Sequence, residues 1–275
     1  MSRNKKLKFL FFTPHADDIE LGSPFMYLEA LRLGHDVVEV LMTENQFGTM
    51  NKRLKGKKLQ KIREKELENA NKVFETETNN TIKVIQMGYI DGYLPFNKKI
   101  LQEVIDIIET EKANIIFAPD PWFAQDFHPD HINTGRLVYF AAKNATNNSN
   151  ALKYIFYYYS FQNDFYFKCN WKDFKIIEKA LSKHASQFSP LNTKIEITFY
   201  NKLVIFFRFL KTGHISESYR IQKFHNGKLK SPEQFSFFDT IKYSVFSSTT
   251  LWGYRRLVDM RPEELGLTKQ KKEIK

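Results

Sequence analysis

The N-terminal segment constrains the fold most, because it alternates the pattern of a buried strand with that of a helix. Residues 7–13 form a near-continuous apolar run, as in a parallel strand buried on both faces. Residues 19–33 then have a helical pattern that Gly34 would end, and residues 37–42 form a second apolar strand. A strand, a helix and a strand in this order predict a βαβ unit with a right-handed crossover.

The same alternation continues through the first half of the chain. It predicts helices over residues 57–76 and 100–111, and strands over residues 82–87 and 114–118. Beyond residue 150, the pattern predicts a helix over 171–186 and strands within 154–167, 195–199 and 203–209. We therefore predict an α/β fold with a mostly parallel sheet in residues 1–150 and an α+β extension in residues 151–275.

The net charge narrows the range of partners only a little. The 42 Lys and Arg residues outnumber the 31 Asp and Glu residues, which gives a formal net charge of +11 and favours anionic partners. The lysines are scattered, however, and the denser runs at residues 52–61 and 269–275 look like solvated helix faces and a tail. Because no nucleic-acid-binding motif is present, we expect no nucleic-acid partner, whereas a phosphate-bearing small substrate stays open.

Cysteine usage and hydropathy indicate the compartment. The single cysteine, Cys169, rules out an internal disulfide and a cysteine-ligated zinc site, and it favours a packed thiol in a reducing cytoplasm. The apolar run at residues 9–12 is too short for a signal peptide, and no run approaches the roughly 18 apolar residues of a spanning helix. We expect a cytoplasmic protein without a transmembrane segment, whose basic surface allows peripheral membrane contact. The sequence does not indicate an oligomeric state.

Two short segments hold most of the chemically useful side chains. The first is His-Ala-Asp-Asp at residues 15–18, directly after the first strand. The second is His-Pro-Asp-His at residues 128–131, just beyond the fourth strand. In open parallel sheets, ligands bind at the edge where the carboxyl ends of the strands meet. The two segments can therefore converge at that edge.

These residue types suit a catalytic divalent metal. Two imidazoles and one carboxylate, with a fourth position left to water, form a known catalytic zinc arrangement. A further carboxylate can accept a proton from that water, and a further histidine can stabilise an oxyanion or protonate a leaving amine. Adjacent aspartates at a strand end also occur simply as helix caps and loop formers. The second histidine-containing segment favours a metal site over a purely structural role for the aspartates. The residues by themselves therefore indicate a metal hydrolase.

With these motifs, the sequence resembles the PIG-L/LmbE-like family of zinc-dependent N-acetylglucosaminyl deacetylases. The family's fingerprint is His-Pro-Asp-Asp at the first strand end and His-Pro-Asp-His further on. Here Ala16 replaces the first proline, and the second motif is intact. The resemblance implies a Rossmann-like three-layer sandwich, with residues 151–275 completing the same domain. Weaker matches continue along most of the chain, at Thr43-Glu44, Arg63, Glu66, Asp91-Gly92, His184 and Glu217-Ser218-Tyr219-Arg220.

The resemblance also implies a role for each polar residue of the two motifs. Asp17 would be the general base, and His128 would stabilise the oxyanion or protonate the leaving amine. Asp130 would orient a histidine without binding the metal itself. Zinc, or another divalent metal, would be held by His15, Asp18 and His131.

Three residues outside the two motifs are implied to contact the sugar. Arg63 and Asp91 match positions that hold the sugar in such enzymes, and Glu44, in the loop after the second strand, is assigned the same role. Arg63 and Glu66 share the apolar face of the helix over residues 57–76, where charged residues are costly unless they are paired or used. An ion pair between these two residues is the structural alternative to a sugar contact.

Together, these observations predict hydrolysis of the acetamide of an N-acetylated, GlcNAc-like sugar that is carried on a nucleotide, a lipid or a small aglycone. The basic composition favours a phosphate-bearing carrier in cell-surface glycan biosynthesis. A small GlcNAc conjugate in the biosynthesis of low-molecular-weight thiols is the alternative substrate. A sugar- or nucleotide-binding module without catalysis is the alternative of another class, although Asp17 and His128 would then have no use.

Overall fold

The computed structural model describes residues 5–145, 152–188, 202–225, 228–229 and 254–267. The predicted strand at residues 195–199 lies outside these ranges, and so does an aromatic-rich stretch of the sequence at residues 235–254, except for Tyr254. The strands are β1 (Lys8–Thr13), β2 (Asp36–Thr43), β3 (Ile82–Tyr89), β4 (Ile115–Pro119), β5 (Tyr154–Tyr158), β6 (Phe165–Lys168), β7 (Ser216–His225) and β8 (Lys228–Leu229). The α-helices are α1 (Asp18–Gly22), α2 (Pro24–Arg32), α3 (Lys57–Thr78), α4 (Lys98–Thr110), α5 (Pro129–Ala145), α6 (Phe174–Leu181) and α7 (Lys202–Thr212).

One mixed sheet carries these strands in the order β3-β2-β1-β4-β5-β7-β6, and β8 pairs with β7. The pairs from β3 to β5 are all parallel, whereas β7 runs antiparallel to β5, β6 and β8. The chain moves outward from β1 in one direction through β2 and β3, and in the other through β4 and β5. The carboxyl ends of β1 and β4 therefore flank the switch point of the sheet, which is where α/β proteins of this type bind ligands.

The sheet lies between two layers of helices because its central strands are apolar on both faces. Along β1, Leu10 and Phe12 belong to one core cluster, while Phe9 and Phe11 belong to the other. Helices α4 and α5 contribute apolar residues to the first cluster, and helices α2, α3 and α6 contribute to the second. The prediction of an α/β sandwich with a mostly parallel sheet is confirmed.

The helix predicted over residues 19–33 is interrupted. The structure contains the short α1 and then α2, which begins at Pro24 after Ser23 adopts φ −148°. Proline has no backbone N–H and its ring clashes with the carbonyl four residues earlier, so it cannot continue a helix but is well tolerated at the first helical position. The apolar periodicity runs through this break, and the prediction of one helix was therefore wrong.

The prediction of a strand at residues 203–209 is also wrong, because this segment lies within α7. A short apolar run does not distinguish a buried strand from a helix. In the helix, Ile205 is buried beside Phe174 and Leu181, whereas Phe209 and Leu210 are exposed. Within the described ranges, no helix has both the length and the apolar character needed to cross a membrane.

Strands from both sides of residue 150 belong to the same sheet. β4 pairs with β5 in register from Ile115↔Tyr154 to Pro119↔Tyr158, and β5 pairs with β7. The division of the chain at residue 150 stays a prediction.

A buried carboxyl group on β2 makes the stability of the fold depend on pH. Glu39 is fully buried and accepts hydrogen bonds from Asn71 Nδ2 at 2.8 Å and from Tyr27 Oη at 3.4 Å. Burial raises the pKa of Glu39 from 4.5 to about 8, and the nearby Glu20 adds to this rise, although the bond from Asn71 opposes it. Between these two pKa values the folded chain therefore keeps a proton at Glu39 that the unfolded chain has lost.

We expect the free energy of unfolding to decrease as the pH rises from about 5 to about 8, because protons leave the unfolded state first. The contribution of Glu39 reaches a few kcal/mol, at about 1.4 kcal/mol per pKa unit. Glu39→Gln mimics the protonated carboxyl group, so it should remove this contribution and stabilise the protein at the upper end of the range. Urea unfolding at both ends measures the effect. The pKa of His184 is also raised, but this residue adds the same pH dependence to the wild type and to the variant. If the free energy of unfolding changes equally with pH in the two proteins, the prediction is wrong.

Candidate metal centre

The strand order brings the two histidine motifs together. His15 follows β1, and Asp18 begins α1 directly after it. His131 lies in the first turn of α5, which follows β4. Because β1 and β4 are adjacent parallel strands, their carboxyl ends deliver these side chains to the same side of the switch point.

The side chains of three residues of these motifs meet at distances that suit a metal ion. His15 Nδ1 lies 3.3 Å from His131 Nε2, which lies 3.3 Å from Asp18 Oδ1. His15 Nδ1 is also 3.6 Å from Asp18 Oδ2. Ligand atoms held at about 2.0–2.1 Å from a tetrahedral ion stand about 3.3–3.4 Å apart, and two imidazoles with a carboxylate are a zinc donor set. The three residues therefore fit a divalent metal.

The electrostatics of this cluster favour a cation. Burial alone would raise the pKa of Asp18, but the adjacent His131 and His15 lower it to about 2. The carboxylate of Asp18 is consequently ionised. The backbone N–H of His15 also donates to Asp18 Oδ2 at 2.7 Å, which fixes the carboxylate in its orientation. A buried, ionised and oriented carboxylate beside two imidazole nitrogens is ready to bind a metal ion.

Three further carboxylates contact the outer nitrogens of the two histidines. His15 Nε2 lies 3.1 Å from Asp91 Oδ1 and 3.4 Å from Asp130 Oδ2. His131 Nδ1 lies 3.5 Å from Asp126 Oδ2. Such carboxylates orient a metal-binding imidazole and increase its basicity. The predicted orienting role of Asp130 agrees with this contact, and Asp91 and Asp126 make equivalent contacts.

His15, Asp91, His128 and Asp130 form a second group whose ligand atoms also lie within 4.8 Å of one another. The oxygens of Asp130, however, accept the backbone N–H groups of Gly92 at 2.6 Å and Leu94 at 3.1 Å. Asp91 Oδ2 likewise accepts the N–H of Phe47 at 2.9 Å. Since these carboxylates already bind backbone donors, the group is better suited to hold the loops around His15 than to bind a second ion.

Asp17 points toward α3 and is paired with Arg63. Arg63 donates from a terminal guanidinium nitrogen to Asp17 Oδ1 at 2.6 Å, and its side chain is almost fully buried. Glu66 instead accepts hydrogen bonds from the backbone N–H and the hydroxyl of Ser186, both at 2.7 Å. The structure therefore pairs Arg63 with Asp17, and it does not contain the alternative ion pair between Arg63 and Glu66.

The chain packs closely against Arg63 at Gly48. A Cβ atom there would lie 2.6 Å from a guanidinium nitrogen of Arg63 and 2.9 Å from the amide oxygen of Gln187. The amide nitrogen of Gln187 donates to the carbonyl of Gly48. The loop after β2 and the segment after α6 are thus joined beside the guanidinium group.

His128 borders the cluster without joining the three convergent atoms. Its ring lies edge-on to His15, with centroids 4.7 Å apart, and edge-on to Tyr254 at 4.8 Å. Burial and then the neighbouring His15 lower the pKa of His128 to about 4, so the ring is neutral near pH 7. Its Nδ1 accepts the backbone N–H of Asp130 at 3.2 Å, which leaves the proton on Nε2. His128 is therefore a hydrogen-bond donor at this edge.

Glu44 lies in the loop after β2, at the same edge of the sheet. Its carboxylate accepts a hydrogen bond from Gln46 Nε2 at 2.8 Å, and its backbone N–H donates to the carbonyl of Tyr89 at 2.8 Å. Gln46 Oε1 in turn accepts the backbone N–H of Asp91 at 2.9 Å. The loops after β2 and β3 are joined through these bonds, which place Glu44 and Asp91 on neighbouring loops.

Sequence reasoning missed several residues that contact the cluster. Asp126, which faces His131, could have been noticed because it lies two residues before the second motif. Asn45 Oδ1 accepts the backbone N–H of Ala16 at 3.0 Å and so supports the turn that carries Asp17. Tyr159 stacks its ring on His131, with centroids 5.7 Å apart. Nothing in the local sequence around Asn45 or Tyr159 signals these contacts, which depend on the tertiary structure.

The fold and the cluster define an α/β protein with a candidate divalent-metal centre at the switch point of its sheet. Within that class, residues 10–142 match the model of the PIG-L family, described as GlcNAc-PI de-N-acetylase. This part of the chain is therefore a PIG-L family domain, and it includes both histidine motifs. The resemblance inferred from the motifs is confirmed.

Individual relatives agree with this assignment. The chain is 28% identical over 134 residues to diacetylchitobiose deacetylase of Thermococcus kodakarensis (strain ATCC BAA-918 / JCM 12380 / KOD1), a match covering 49% of this chain and 48% of that protein. It therefore spans about half the length of this curated relative. The structure is similar to N,N'-diacetylchitobiose deacetylase from Pyrococcus horikoshii in complex with its inhibitor MPG, with 26% identity and a TM-score of 0.67 over 78% of this chain and 83% of that one.

A more distant structure supports the fold alone. The conserved protein TT1542 from Thermus thermophilus is 21% identical, with a TM-score of 0.62 over 84% of this chain and all of that chain. Its match extends past residue 142, because it covers more of the chain than the family model does. The sandwich described above is therefore shared beyond the part that contains the two motifs.

Proposed function

We propose that the protein is a zinc-dependent N-deacetylase that hydrolyses the acetamide of an N-acetylated, GlcNAc-like sugar. The observation that carries this proposal is the convergence of the ligand nitrogens of His15 and His131 with the carboxylate of Asp18, at separations that suit a tetrahedral metal site. The PIG-L domain and the similarity to diacetylchitobiose deacetylases support the reaction type. In such a site, zinc supplies Lewis acidity and a water whose pKa falls from about 15.7 to about 7.

Asp17 is the proposed general base. Arg63 holds Asp17 Oδ1, which leaves Oδ2 to accept a proton from the attacking water. Because Asp17 directly precedes Asp18 at the start of α1, the base is tied to the metal-binding carboxylate by one peptide bond. Rigid placement of this kind reduces the reorganisation that proton transfer requires.

His128 is the proposed partner of the carbonyl oxygen and of the leaving amine. Its neutral ring keeps a proton on Nε2, so it can donate a hydrogen bond to the oxygen as negative charge develops there. Protonation of the leaving amine nitrogen, the alternative role of His128, would use the proton that Asp17 accepts from the water, because a neutral ring that lost its Nε2 proton would become an anion. Asp91 and Asp130 contact His15 Nε2, and Asp126 contacts His131 Nδ1, so that these carboxylates orient the two proposed metal-binding rings.

Arg63, Asp91 and Glu44 are the proposed sugar contacts. Arg63 has the strongest support, because its guanidinium group lies beside the proposed base and donates to Asp17 Oδ1 at 2.6 Å. Asp91 already contacts His15 and Phe47, and Glu44 accepts from Gln46. The two carboxylates would therefore have to bind sugar hydroxyls in addition to these partners.

The proposed setting is a cytoplasmic step of cell-surface glycan biosynthesis, with the amino sugar on a nucleotide, lipid or small carrier. The net charge of +11 supports a carrier that bears phosphate, because a basic surface attracts anionic substrates. The experiment described next tests this carrier alongside a neutral disaccharide and the small conjugates of thiol biosynthesis.

Acetate release from purified protein tests the function. We expect acetate from at least one of N,N'-diacetylchitobiose, UDP-GlcNAc, GlcNAc-inositol and GlcNAc-malate, loss of activity after chelation, and recovery on adding zinc. Elemental analysis before and after chelation gives the metal content, so that activity can be compared with occupancy. Activity in fully metal-free protein would refute the mechanism. Stoichiometric metal and sugar binding without acetate from any substrate would favour the non-catalytic binding module.

A further inference from the structure

The segment of residues 254–265 lies against the loops that follow β2 and β3, at the carboxyl edge of the sheet. In the loop after β3, Tyr93 Oη donates to the carbonyl of Met260 at 3.2 Å. At the end of the loop after β2, a Cβ atom added to Gly56 would lie 3.5 Å from Cβ of Leu265, an ordinary packing distance. The match to the family model ends at residue 142, so it assigns no role to this segment.

A buried lysine anchors the 254–265 segment. The side chain of Lys55, in the loop after β2, is only 1% exposed, and its ammonium group donates to the carbonyl of Leu257 and to the carboxylate of Asp259. Burying an ammonium group is costly unless it is paired and hydrogen-bonded. Asp259 also pairs with Lys52 at 3.0 Å, but this lysine is 68% exposed and solvent screens the contact. Of the two lysines, Lys55 therefore holds the segment in place.

The 254–265 segment also packs on the turn after β3. Gly92 has a φ of 78°, and a Cβ atom there would lie only 2.7 Å from Cγ2 of Val258. The backbone of this glycine is hydrogen-bonded on both sides. Its N–H donates to Asp130 Oδ2 at 2.6 Å, and its carbonyl accepts from Tyr254 Oη at 2.9 Å. One residue of the turn thus connects the second histidine motif with the 254–265 segment.

The ring of Tyr254 contacts His128 edge-on, with centroids 4.8 Å apart and ring planes at 90°. His128 contacts His15 in a similar way, at 4.7 Å and 85°. Edge-to-face contacts between rings depend on their mutual orientation, so they favour one orientation of the imidazole. The hydroxyl of Tyr254 already donates to the carbonyl of Gly92, which fixes the tyrosine ring in turn.

The imidazole of His128 depends on such packing for its orientation. Among the described residues, its one side-chain hydrogen bond is that of Nδ1, which accepts the backbone N–H of Asp130 at 3.2 Å. A single bond at one nitrogen allows the ring to turn about that bond, so it does not fix the direction of the proton on Nε2. The rings of His15 and Tyr254 restrict this turn. Of the two, only Tyr254 lies outside the proposed metal centre.

We infer that Tyr254 is a positioning residue for His128. Its ring holds the imidazole in the orientation from which Nε2 donates to the carbonyl oxygen of the acetamide, and Lys55 keeps the tyrosine in place through the 254–265 segment. The inference rests on the proposed role of His128 in deacetylation. An imidazole that turns away loses a hydrogen bond that strengthens as the oxyanion forms, so the rate of the chemical step decreases more than substrate binding does.

Two substitutions of the tyrosine test this inference. Tyr254→Leu removes the aromatic ring, and it should lower kcat about 10- to 100-fold with KM little changed, as for a catalytic group displaced by up to about 1 Å. Tyr254→Phe keeps the ring and should recover most of this loss. Thermal melting and elemental analysis check that both variants are folded and contain metal. An unchanged kcat in Tyr254→Leu, or a raised KM with an unchanged kcat, would overturn the inference.

Lys55→Met tests the anchoring of the segment. Lys52→Met is the matched control, because both lysines pair with Asp259 and only Lys55 is buried. We expect Lys55→Met to lower kcat and Lys52→Met to leave it at the wild-type value. In the Tyr254→Leu protein, Lys55→Met should cause no further loss, because both substitutions act through the same imidazole. Independent, multiplying losses would contradict the inference. If Lys55→Met does not fold, Asp259→Asn removes the same ion pair.

Nitrogen-15 NMR of the histidine rings separates this inference from the proposed function, because it needs no substrate. In the wild type, His128 should give the signals of one neutral tautomer with its proton on Nε2, identified by their loss in His128→Gln. Tyr254→Phe should keep this tautomer, whereas Tyr254→Leu should give averaged signals of two tautomers. That change would support the positioning even if no substrate yields acetate. The same single tautomer in Tyr254→Leu would overturn it even in an active deacetylase.

Discussion

Replacing Asp17 with asparagine is expected to lower kcat by about 10²–10⁴-fold, the usual contribution of a positioned general base. Asparagine keeps the size of the side chain and an oxygen that can accept from Arg63, which now donates to Asp17 Oδ1 at 2.6 Å. It cannot take a proton from water at neutral pH. The proposed metal ligands are three other residues, His15, Asp18 and His131, so the metal content should be unchanged.

Steady-state kinetics and elemental analysis on the same preparation measure the two quantities together. Asp36→Asn is the matched control, because this half-exposed carboxylate begins β2 at the opposite end of the strand from the proposed metal centre. It should leave both kcat and metal content near their wild-type values. An Asp17→Asn protein that keeps its full metal content and more than about a tenth of the wild-type kcat would remove Asp17 from the role of base.

The second large effect concerns stability, at a buried ion pair between β7 and the residue that follows β4. Arg220 on β7 binds both oxygens of Asp120, at 2.6 and 2.9 Å, and Asp120 is almost fully buried after β4. Ser160 Oγ donates to the same carboxylate at 2.6 Å. The guanidinium group also lies over the ring of Tyr157, 4.5 Å from its centroid. This pair joins the ends of β4 and β5 to the antiparallel strand β7.

Arg220→Met should lower the free energy of unfolding by about 3–5 kcal/mol, because Asp120 is then a buried charge without its counter-ion. Lys65→Met provides the comparison: Lys65 pairs with Glu68 at 2.7 Å, but the two side chains are 62% and 49% exposed. Solvent screens such a pair, so its loss should cost much less. Denaturant unfolding at neutral pH measures both. Similar values for the two variants would show that burial of the Asp120 pair does not have the predicted effect.

Much of the fold was predictable because strands and helices leave local patterns. The apolar run of residues 7–13 and the alternation that follows it were sufficient for an α/β fold with a parallel sheet. The break at Pro24 and the helix at residues 202–212 were missed. In the first case the apolar periodicity continues across the break, and in the second a short apolar run fits either element.

By itself, the sequence determined which residue types occur at the carboxyl ends of β1 and β4, and therefore that imidazoles and carboxylates could meet at the switch point. That inference needs only strand order and motif position, both of which are local properties. Only the tertiary structure decided that Arg63 pairs with Asp17 and not with Glu66, that Asp126 faces His131, and that Tyr159 stacks on His131. These contacts join residues distant in the chain, whose distances depend on how helices and loops pack on the sheet.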